Sequence, residues 1–363
     1  MNLPSFSEFF AELNENNSPF PWQNELATAA ANGTWPDFIS VPTGSGKTTC
    51  LEIAVYALAC QAHLPPLERT APRRIFFIVN RRVIVDEAFR RAQRMVEALS
   101  NAREDRPACS AIAEALRTLN PVHELFSKRT PPPPLDCVQL RGAIFRDQRW
   151  VRSLLQPTLV ASTVDQVGSR LLFRGYGVTP QQSPIHAALV AIDALWLLDE
   201  AHISQPFSET IEAIQRYRQT HERNNPEVVK LVPLRFVRLT ATPPENANNR
   251  IELSEEDRAH PVLSKRLNAC KPTLLATSEK GELTEKLREL VSGIDPSKIR
   301  SIAIMVNRVA TAKEVYGLLA QPERKKDALP FEANVSLLIG RMRPIDRDVE
   351  TAKIQQALEN AAG

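Results

Sequence analysis

Residues 37–50 have the sequence D-F-I-S-V-P-T-G-S-G-K-T-T-C, and this stretch predicts the fold. The apolar run 38–41 is typical of a short buried strand, and the apolar-periodic segment 51–58 is typical of a helix. A Gly-rich turn lies between them. A strand, a Gly-rich turn and a helix in this order form the context of a phosphate-binding loop. We therefore expect an α/β protein with a parallel sheet.

Each residue type in the turn has a chemical use. Gly44 and Gly46 allow successive N–H groups to point at an anion, and the helix N-terminus adds partial positive charge. Lys47 would reach the β- and γ-phosphates of ATP, and the Thr48 hydroxyl would bind Mg²⁺. The strict pattern has Gly where this chain has Val41. The residues expected to contact the nucleotide are Gln23, Thr43, Gly44, Ser45, Gly46, Lys47 and Thr48.

Gln23 stands apart from the loop, in the segment P-F-P-W-Q at 19–23. Its amide can donate to and accept from the adenine edge at once, while Trp22 or Phe20 packs nearby. We favour adenine recognition over the alternative, which is a surface Gln at the start of a helix over 24–31.

Two adjacent carboxylates follow a second apolar strand, 194–198, in the sequence D-E-A-H. Asp199 would hold Mg²⁺ through its water shell, and Glu200 would orient and deprotonate the attacking water. His202 would link the nucleotide site to a neighbouring domain. The strand 236–239 leads into Thr240 and Thr242, whose hydroxyls would pass a hydrogen-bond rearrangement from the carboxylates to a nucleic acid.

Polar and basic residues follow three further predicted strands: 74–79, 158–161 and 301–306. Side chains at the carboxyl ends of parallel strands lie on the ligand face of a sheet, and these types suit a nucleic-acid backbone. A solvated Arg pair at a helix start is the alternative for Arg81 and Arg82. The expected nucleic-acid ligands are Asn80, Arg81, Arg82, Thr163, Gln166, Arg170, Asn307 and Arg308.

The chain of 363 residues suggests two domains. We expect an N-terminal segment, 1–20, and a first domain, 21–245, with a proline-rich insertion at about 101–135. A polar linker at 246–271 and a second α/β domain at 272–363 follow. Strands are predicted at 273–277, 301–306 and 335–339 in that second domain.

Composition narrows the classes of protein. The formal net charge is only +3, so the chain is not a generic polycation. No apolar run approaches the ~18 residues of a membrane span, and the N-terminus does not have the pattern of a signal peptide. Five scattered cysteines without a C-x-x-C pair predict neither a disulfide framework nor a zinc site. We expect a cytoplasmic protein.

The motif order P-W-Q, P-T-G-S-G-K-T, N-R-R, L-L-D-E-A-H and L-T-A-T resembles a superfamily 2 helicase. The string S-T-V-D-Q-V-G-S-R-L-L-F-R-G-Y-G at 162–177 is similar to the helicase–nuclease of type I CRISPR–Cas systems, in the branch with a C-terminal nuclease. The resemblance covers about residues 19–350. It implies a P-loop NTPase with a RecA-like helicase domain and a second, partial RecA-like domain.

The resemblance also implies ATP and Mg²⁺ as cofactors, single-stranded DNA as substrate, 3′ to 5′ movement, and recruitment by a guide-RNA surveillance complex in antiviral defence. Two features depart from the family. No His-Asp dipeptide of the nuclease signature occurs, and nothing after Arg347 matches the late motif that supplies arginine fingers. We therefore expect a shortened helicase core without a nuclease domain. The alternatives are an RNA helicase, a restriction translocase, or a fragment that binds ATP and DNA without turnover.

Overall fold

The computed structural model describes residues 3–120, 133–142, 149–227, 234–244, 248–279, 281–321, 328–340 and 342–362. These residues form two compact units, 1–270 and 271–363. Part of the expected insertion, 121–132, lies outside the described residues. No helix among those described is long and apolar enough to cross a membrane.

The first unit is an α/β structure with one seven-stranded, all-parallel sheet. Its strands are Phe38–Ser40 (β1), Arg74–Val79 (β2), Asp136–Leu140 (β3), Thr158–Thr163 (β4), Ala194–Asp199 (β5), Arg235–Leu239 (β6) and Arg250–Glu252 (β7). Its helices are Phe6–Leu13 (α1), Pro21–Ala31 (α2), Cys50–Cys60 (α3), Arg82–Ser100 (α4), Pro107–Arg117 (α5), Arg149–Arg152 (α6), Val164–Leu171 (α7), Ser183–Ala191 (α8), Gln205–Asn224 (α9), Glu255–Ala259 (α10) and Pro261–Leu267 (α11). The expected α/β class is confirmed.

Apolar side chains cover both faces of the sheet, as a parallel sheet requires. Strand β2 illustrates the alternation of period two. Ile75 and Phe77 pack into the core formed with helices α1 to α5, whereas Phe76 and Ile78 pack into the core formed with α7, α8 and α9. The sheet is thus the middle layer of three.

The strand order is β3-β4-β2-β5-β6-β1-β7. Because every pairing is parallel, all the carboxyl ends lie along one edge. The Gly-rich turn follows β1, T-A-T follows β6 and D-E-A-H follows β5, so these three motifs end neighbouring strands. The N-R-R and S-T-V-D-Q motifs follow β2 and β4, the next two strands along. The order along the sheet therefore groups motifs that are far apart in sequence.

The segment 246–271, which we expected to be a linker, is largely part of the first unit. Strand β7 pairs with β1, and the short helices α10 and α11 follow it. Asp257 at α10 is fully buried, and its Oδ1 accepts the Trp22 N–H at 2.9 Å. A carboxylate at a helix N-terminus is stabilising, and this one fastens α10 to the start of α2. The unit ends at Cys270 instead of residue 245.

The second unit differs from its prediction. It contains helices Leu283–Ser292 (α12), Val309–Ala320 (α13) and Pro344–Ala362 (α14). The segments 273–277, 301–306 and 335–339, which we predicted as strands, have no strand structure. Leu275 and Met305 in them are 92% exposed. Since a strand forms only against a partner strand and a covering layer, their apolar pattern alone was not sufficient.

Candidate nucleotide and nucleic-acid site

The turn after β1 has the backbone that its two glycines predict. Gly44 has φ +85° and Gly46 has φ +81°, both in the left-handed region that favours glycine. A short 3₁₀ turn, Lys47–Thr49, then leads into α3. Thr43 is exposed, Ser45 is buried and Thr48 is half-buried. Among the described residues, the N–H groups of Gly44 and Gly46 have no acceptor, as in backbone nests that bind anions.

Three consecutive backbone carbonyl groups of this turn accept hydrogen bonds from side chains of other elements. Gly44 O accepts Arg266 Nη1 at 2.7 Å, Ser45 O accepts Trp22 Nε1 at 3.2 Å, and Gly46 O accepts Gln23 Nε2 at 3.2 Å. These donors come from α2 and α11. Anchoring the carbonyls on the outer side leaves the backbone N–H groups available to the inner side of the turn. Sequence reasoning missed Arg266, because its segment lacked any motif.

Gln23 lies elsewhere than we expected for an adenine ligand. It is 2% exposed and sits in the first turn of α2. Its Oε1 accepts the Phe20 N–H at 2.9 Å, while its Nε2 donates to Gly46 O. Both ends of the amide are therefore engaged with backbone. In this structure Gln23 supports the glycine turn, and its role as an adenine ligand stays a prediction. Phe20 packs edge-on against His260, with ring centroids 5.0 Å apart.

Lys47 and Glu200 form an ion pair between the ends of β1 and β5. Lys47 Nζ lies 3.2 Å from Glu200 Oε1, and the lysine side chain is only 8% exposed. A partly buried pair of this kind is less screened by solvent than a surface pair. The two motifs that the sequence separates by most of a domain are thus in direct contact.

Glu200 is held in a constrained position. Its φ of +49° is left-handed, which is uncommon for a non-glycine residue and often marks a functional site. Its Oε2 lies 3.5 Å from His202 Nδ1. The same His202 nitrogen lies 3.2 Å from Thr240 Oγ1, which in turn accepts the Thr242 N–H at 3.1 Å. Glu200, His202 and Thr240 therefore form a continuous polar chain from β5 to β6.

Asp199 ends β5 and faces the same region. Its Oδ1 accepts the Glu200 N–H at 3.1 Å. Burial raises the pKa of Asp199, and the Lys47 charge partly opposes that rise. Burial also raises the pKa of the neighbouring Cys50 thiol, with the charges of Glu52 and Asp199 adding to the effect. A carboxylate whose charge is unfavourably buried gains from a nearby cation.

Asn80 is joined to the D-E-A-H segment. Its Oδ1 accepts the Ser204 Oγ hydrogen at 2.8 Å, and Ser204 is 5% exposed at the end of the 3₁₀ turn Ala201–Ser204. Since β2 and β5 are adjacent strands, this bond spans the boundary between the two groups of motifs. Sequence reasoning did not single out Ser204.

Two of the three expected nucleic-acid ligands at the end of β4 and in α7 are buried, namely Thr163 and Arg170. Thr163 is 6% exposed and occupies the N-cap position of α7, but its hydroxyl makes no capping bond. Arg170 is 5% exposed. Its Nη1 donates to Gln166 O at 2.8 Å and to Gln166 Oε1 at 2.7 Å. Arg170 is thus engaged within α7, and its role as a phosphate ligand stays a prediction.

Arg81 is exposed at the N-cap of α4, and Arg82 begins that helix. Asn307 and Arg308 are exposed in the second unit, where Arg308 is the N-cap of α13. Helix α4 also contacts the start of the helical segment after the glycine turn, which the sequence did not suggest. Arg91 Nε donates to Glu52 Oε1 at 2.6 Å, and its Nη2 donates to Thr49 Oγ1 at 3.3 Å.

No protein-family model matches this chain, and no curated protein matches it with significant similarity. The assignment of the site therefore depends on its geometry and on the chemistry of its side chains.

Proposed function

We propose that this chain is the core of an ATP-dependent motor that acts on single-stranded DNA. Its first unit would be a RecA-like P-loop NTPase domain. The single observation that supports this most strongly is the contact of 3.2 Å between Lys47 Nζ and Glu200 Oε1. It brings together the cation that a triphosphate requires and the carboxylate that an attacking water requires.

The donor set also fits Mg²⁺ bound together with a nucleotide. Mg²⁺ prefers oxygen ligands, and it uses few protein groups besides phosphates and water. Thr48 supplies a hydroxyl, and Asp199 supplies a carboxylate whose raised pKa reflects burial. When bound, the metal would neutralise charge on the phosphates. Lys47 would bind phosphate oxygens in place of Glu200, and the released carboxylate would accept a proton from water.

The polar chain at the sheet edge supports a coupling to a nucleic acid. A change at Glu200 would alter the hydrogen bonding of His202, and through it that of Thr240 and the 240–242 backbone. The Ser204–Asn80 bond connects the same segment to the end of β2, beside Arg81. Small rearrangements at the nucleotide would in this way reach the strands whose ends carry the basic residues.

The test is Mg²⁺-dependent ATP hydrolysis by the purified chain, with and without single-stranded DNA, beside Lys47→Ala. We expect DNA-stimulated turnover in the unmodified chain and loss of turnover in the variant. Equal turnover in both proteins would overturn the proposal. Replacing DNA with RNA of the same sequence separates a DNA motor from an RNA helicase.

The narrower proposal is a role in type I CRISPR interference, with a guide-RNA surveillance complex as partner. It rests on the resemblance of residues 162–177 and is tested by binding to such a complex.

A chain that binds ATP and DNA without turnover is the second candidate. One observation favours it: the described residues of the second unit form no sheet on which late helicase motifs could be placed.

A further inference from the structure

The loop that follows α7 exposes an apolar surface. Leu172, Phe173 and Tyr176 are 54%, 60% and 57% exposed, and the intervening Arg174 is exposed as well. We refer to residues 172–177 as the α7 tip. Large aromatic side chains clustered on a surface mark binding sites more often than isolated apolar residues do.

The α7 tip has a defined backbone conformation. Phe173 has φ +60°, which is rare for a bulky residue and persists only where the surroundings enforce it. Here the Phe173 N–H donates to Arg170 O at 3.1 Å, and the Arg174 N–H donates to Ser169 O at 2.7 Å. A Cβ on Gly175 would lie 2.9 Å from Arg170 Cγ, so the close packing of the tip needs glycine there. The buried Arg170 thus supports a loop that presents Phe173 outward.

Charge around the tip favours a polyanion as the occupant. Between Asp165 and Asp193 the chain contains no Asp or Glu, and the charged residue exposed on the tip is the cation Arg174. Helix α7, which leads to the tip, begins directly after Thr163, and Thr163 pairs in register with Val79, two residues before the exposed Arg81. Aromatic rings beside arginine are the composition of surfaces that stack unpaired bases while holding their phosphates.

We propose that the α7 tip is a base-stacking platform for single-stranded DNA. Phe173 and Tyr176 stack on unpaired bases, and Arg174 pairs with a backbone phosphate. This inference rests on the proposed function, because it places a defined part of the DNA contact on the first unit. In this proposal Arg174, and not Arg170, is the cation in residues 162–177 that contacts the DNA.

The test is fluorescence anisotropy of labelled oligo(dT) with the full chain and with the double variant Phe173→Ala/Tyr176→Ala. We expect roughly tenfold weaker binding for each ring removed, and little change for an abasic strand of equal length. Phe173→Trp should retain affinity, because a larger ring still stacks. Arg174→Gln should reduce the slope of log K against log salt by about 0.7, the value for one phosphate contact on a single strand.

Tyr217→Ala is the matched control, since Tyr217 on α9 is 77% exposed and should leave oligo(dT) binding unchanged. Circular dichroism and melting temperature verify that each variant folds. If the double variant binds oligo(dT) as tightly as the unmodified chain, the proposal of a stacking platform is wrong. Equal losses on oligo(dT) and on the abasic strand would also overturn stacking. If the unmodified chain binds no strand, the platform and the proposed function fail together.

Discussion

The two halves of the carboxyl edge of the sheet differ in how their motif residues are used. At the ends of β5, β6 and β1, the residues contact one another: Lys47 meets Glu200, and His202 meets both Glu200 and Thr240. At the ends of β4 and β2, the motif residues make separate local contacts. The buried Arg170 bonds to Gln166, and the exposed Asn80 bonds to Ser204. The other exposed groups are Arg81, Arg174 and the aromatic rings of the α7 tip.

The difference follows from what each half would bind. A small triphosphate needs several side chains within hydrogen-bond distance of the same few atoms, so its ligands converge. A strand of DNA is contacted along its length by side chains that are individually exposed and need not touch each other. In the second half, a buried polar residue such as Arg170 holds the loop in place. Exposed neighbours such as Arg174 make up the surface itself.

The largest expected effect tests the convergent half directly. Glu200→Gln should lower DNA-stimulated kcat by about 10²–10⁴, the usual contribution of a general base. ATP affinity should persist, because Lys47 remains available to the phosphates and Glu200 is proposed to act on the attacking water and not on the nucleotide. Steady-state turnover together with nucleotide binding measures both quantities.

Glu209→Gln is the control for this prediction, since Glu209 is an exposed carboxylate on α9 that bonds to Gln205. It should leave turnover unchanged. A Glu200→Gln variant that keeps most of its turnover would exclude Glu200 as the base and would leave its pairing with Lys47 a purely structural contact.

A smaller effect distinguishes the two glycines of the turn. Both have positive φ, so a Cβ costs about 1–2 kcal/mol of stability at either position. At Gly46 the Cβ would also lie 2.7 Å from Gln23 Nε2, whereas at Gly44 it would meet nothing within 4 Å. Displacing the Gln23 amide loses a further ~1 kcal/mol. Gly46→Ala should therefore reduce the free energy of unfolding more than Gly44→Ala, as measured by urea denaturation.

If Gly44→Ala and Gly46→Ala are equally stable, the hydrogen bond between Gln23 and Gly46 does not stabilise the turn. Combining each glycine variant with Gln23→Ala provides a further check. In that background the Cβ at position 46 has no amide to displace, so the difference between the glycine substitutions should become small.

The convergent half was largely predictable from sequence, and the exposed half was not. The turn 42–48 and D-E-A-H depend on local features, two glycines and two adjacent carboxylates, that a few consecutive residues encode. Whether Arg170 or Arg174 faces solvent depends on how α7 packs, and no local pattern encodes that. The same limit explains why Arg266 and Ser204 were missed, because their roles arise from tertiary contacts. It also explains the wrongly predicted strands in 271–363, because an apolar pattern does not supply partner strands.

A third prediction concerns His186, a buried residue on α8. Burial, and then the charge of Arg170, lowers the pKa of His186 to about 4. The unfolded chain therefore binds a proton between pH 6.5 and 4 that the folded chain does not. Folding stability should fall by about 1–2 kcal/mol between pH 7 and pH 5 from this group alone. His186→Phe, which retains a ring against Trp150, should remove that part of the acid sensitivity.

Urea denaturation at pH 7 and pH 5 measures this effect, and His63→Phe is the control because His63 is exposed. The control should lose as much stability on acidification as the unmodified chain. If His186→Phe loses equally much, His186 titrates normally and the packing of α8 on α7 is looser than the contacts indicate.

The smallest effect is expected at the bond that joins the two halves. Ser204→Ala and Asn80→Ala each remove the 2.8 Å hydrogen bond between D-E-A-H and the end of β2. One such bond is worth about 0.5–1.5 kcal/mol, so the ratio of DNA-stimulated to unstimulated ATP turnover should fall by about two- to tenfold in either variant. Because both variants lose the same interaction, the double variant should fall no further than the more affected single variant. Independent, multiplicative losses would mean that Asn80 contacts DNA by itself and that the two halves communicate through His202 and Thr240.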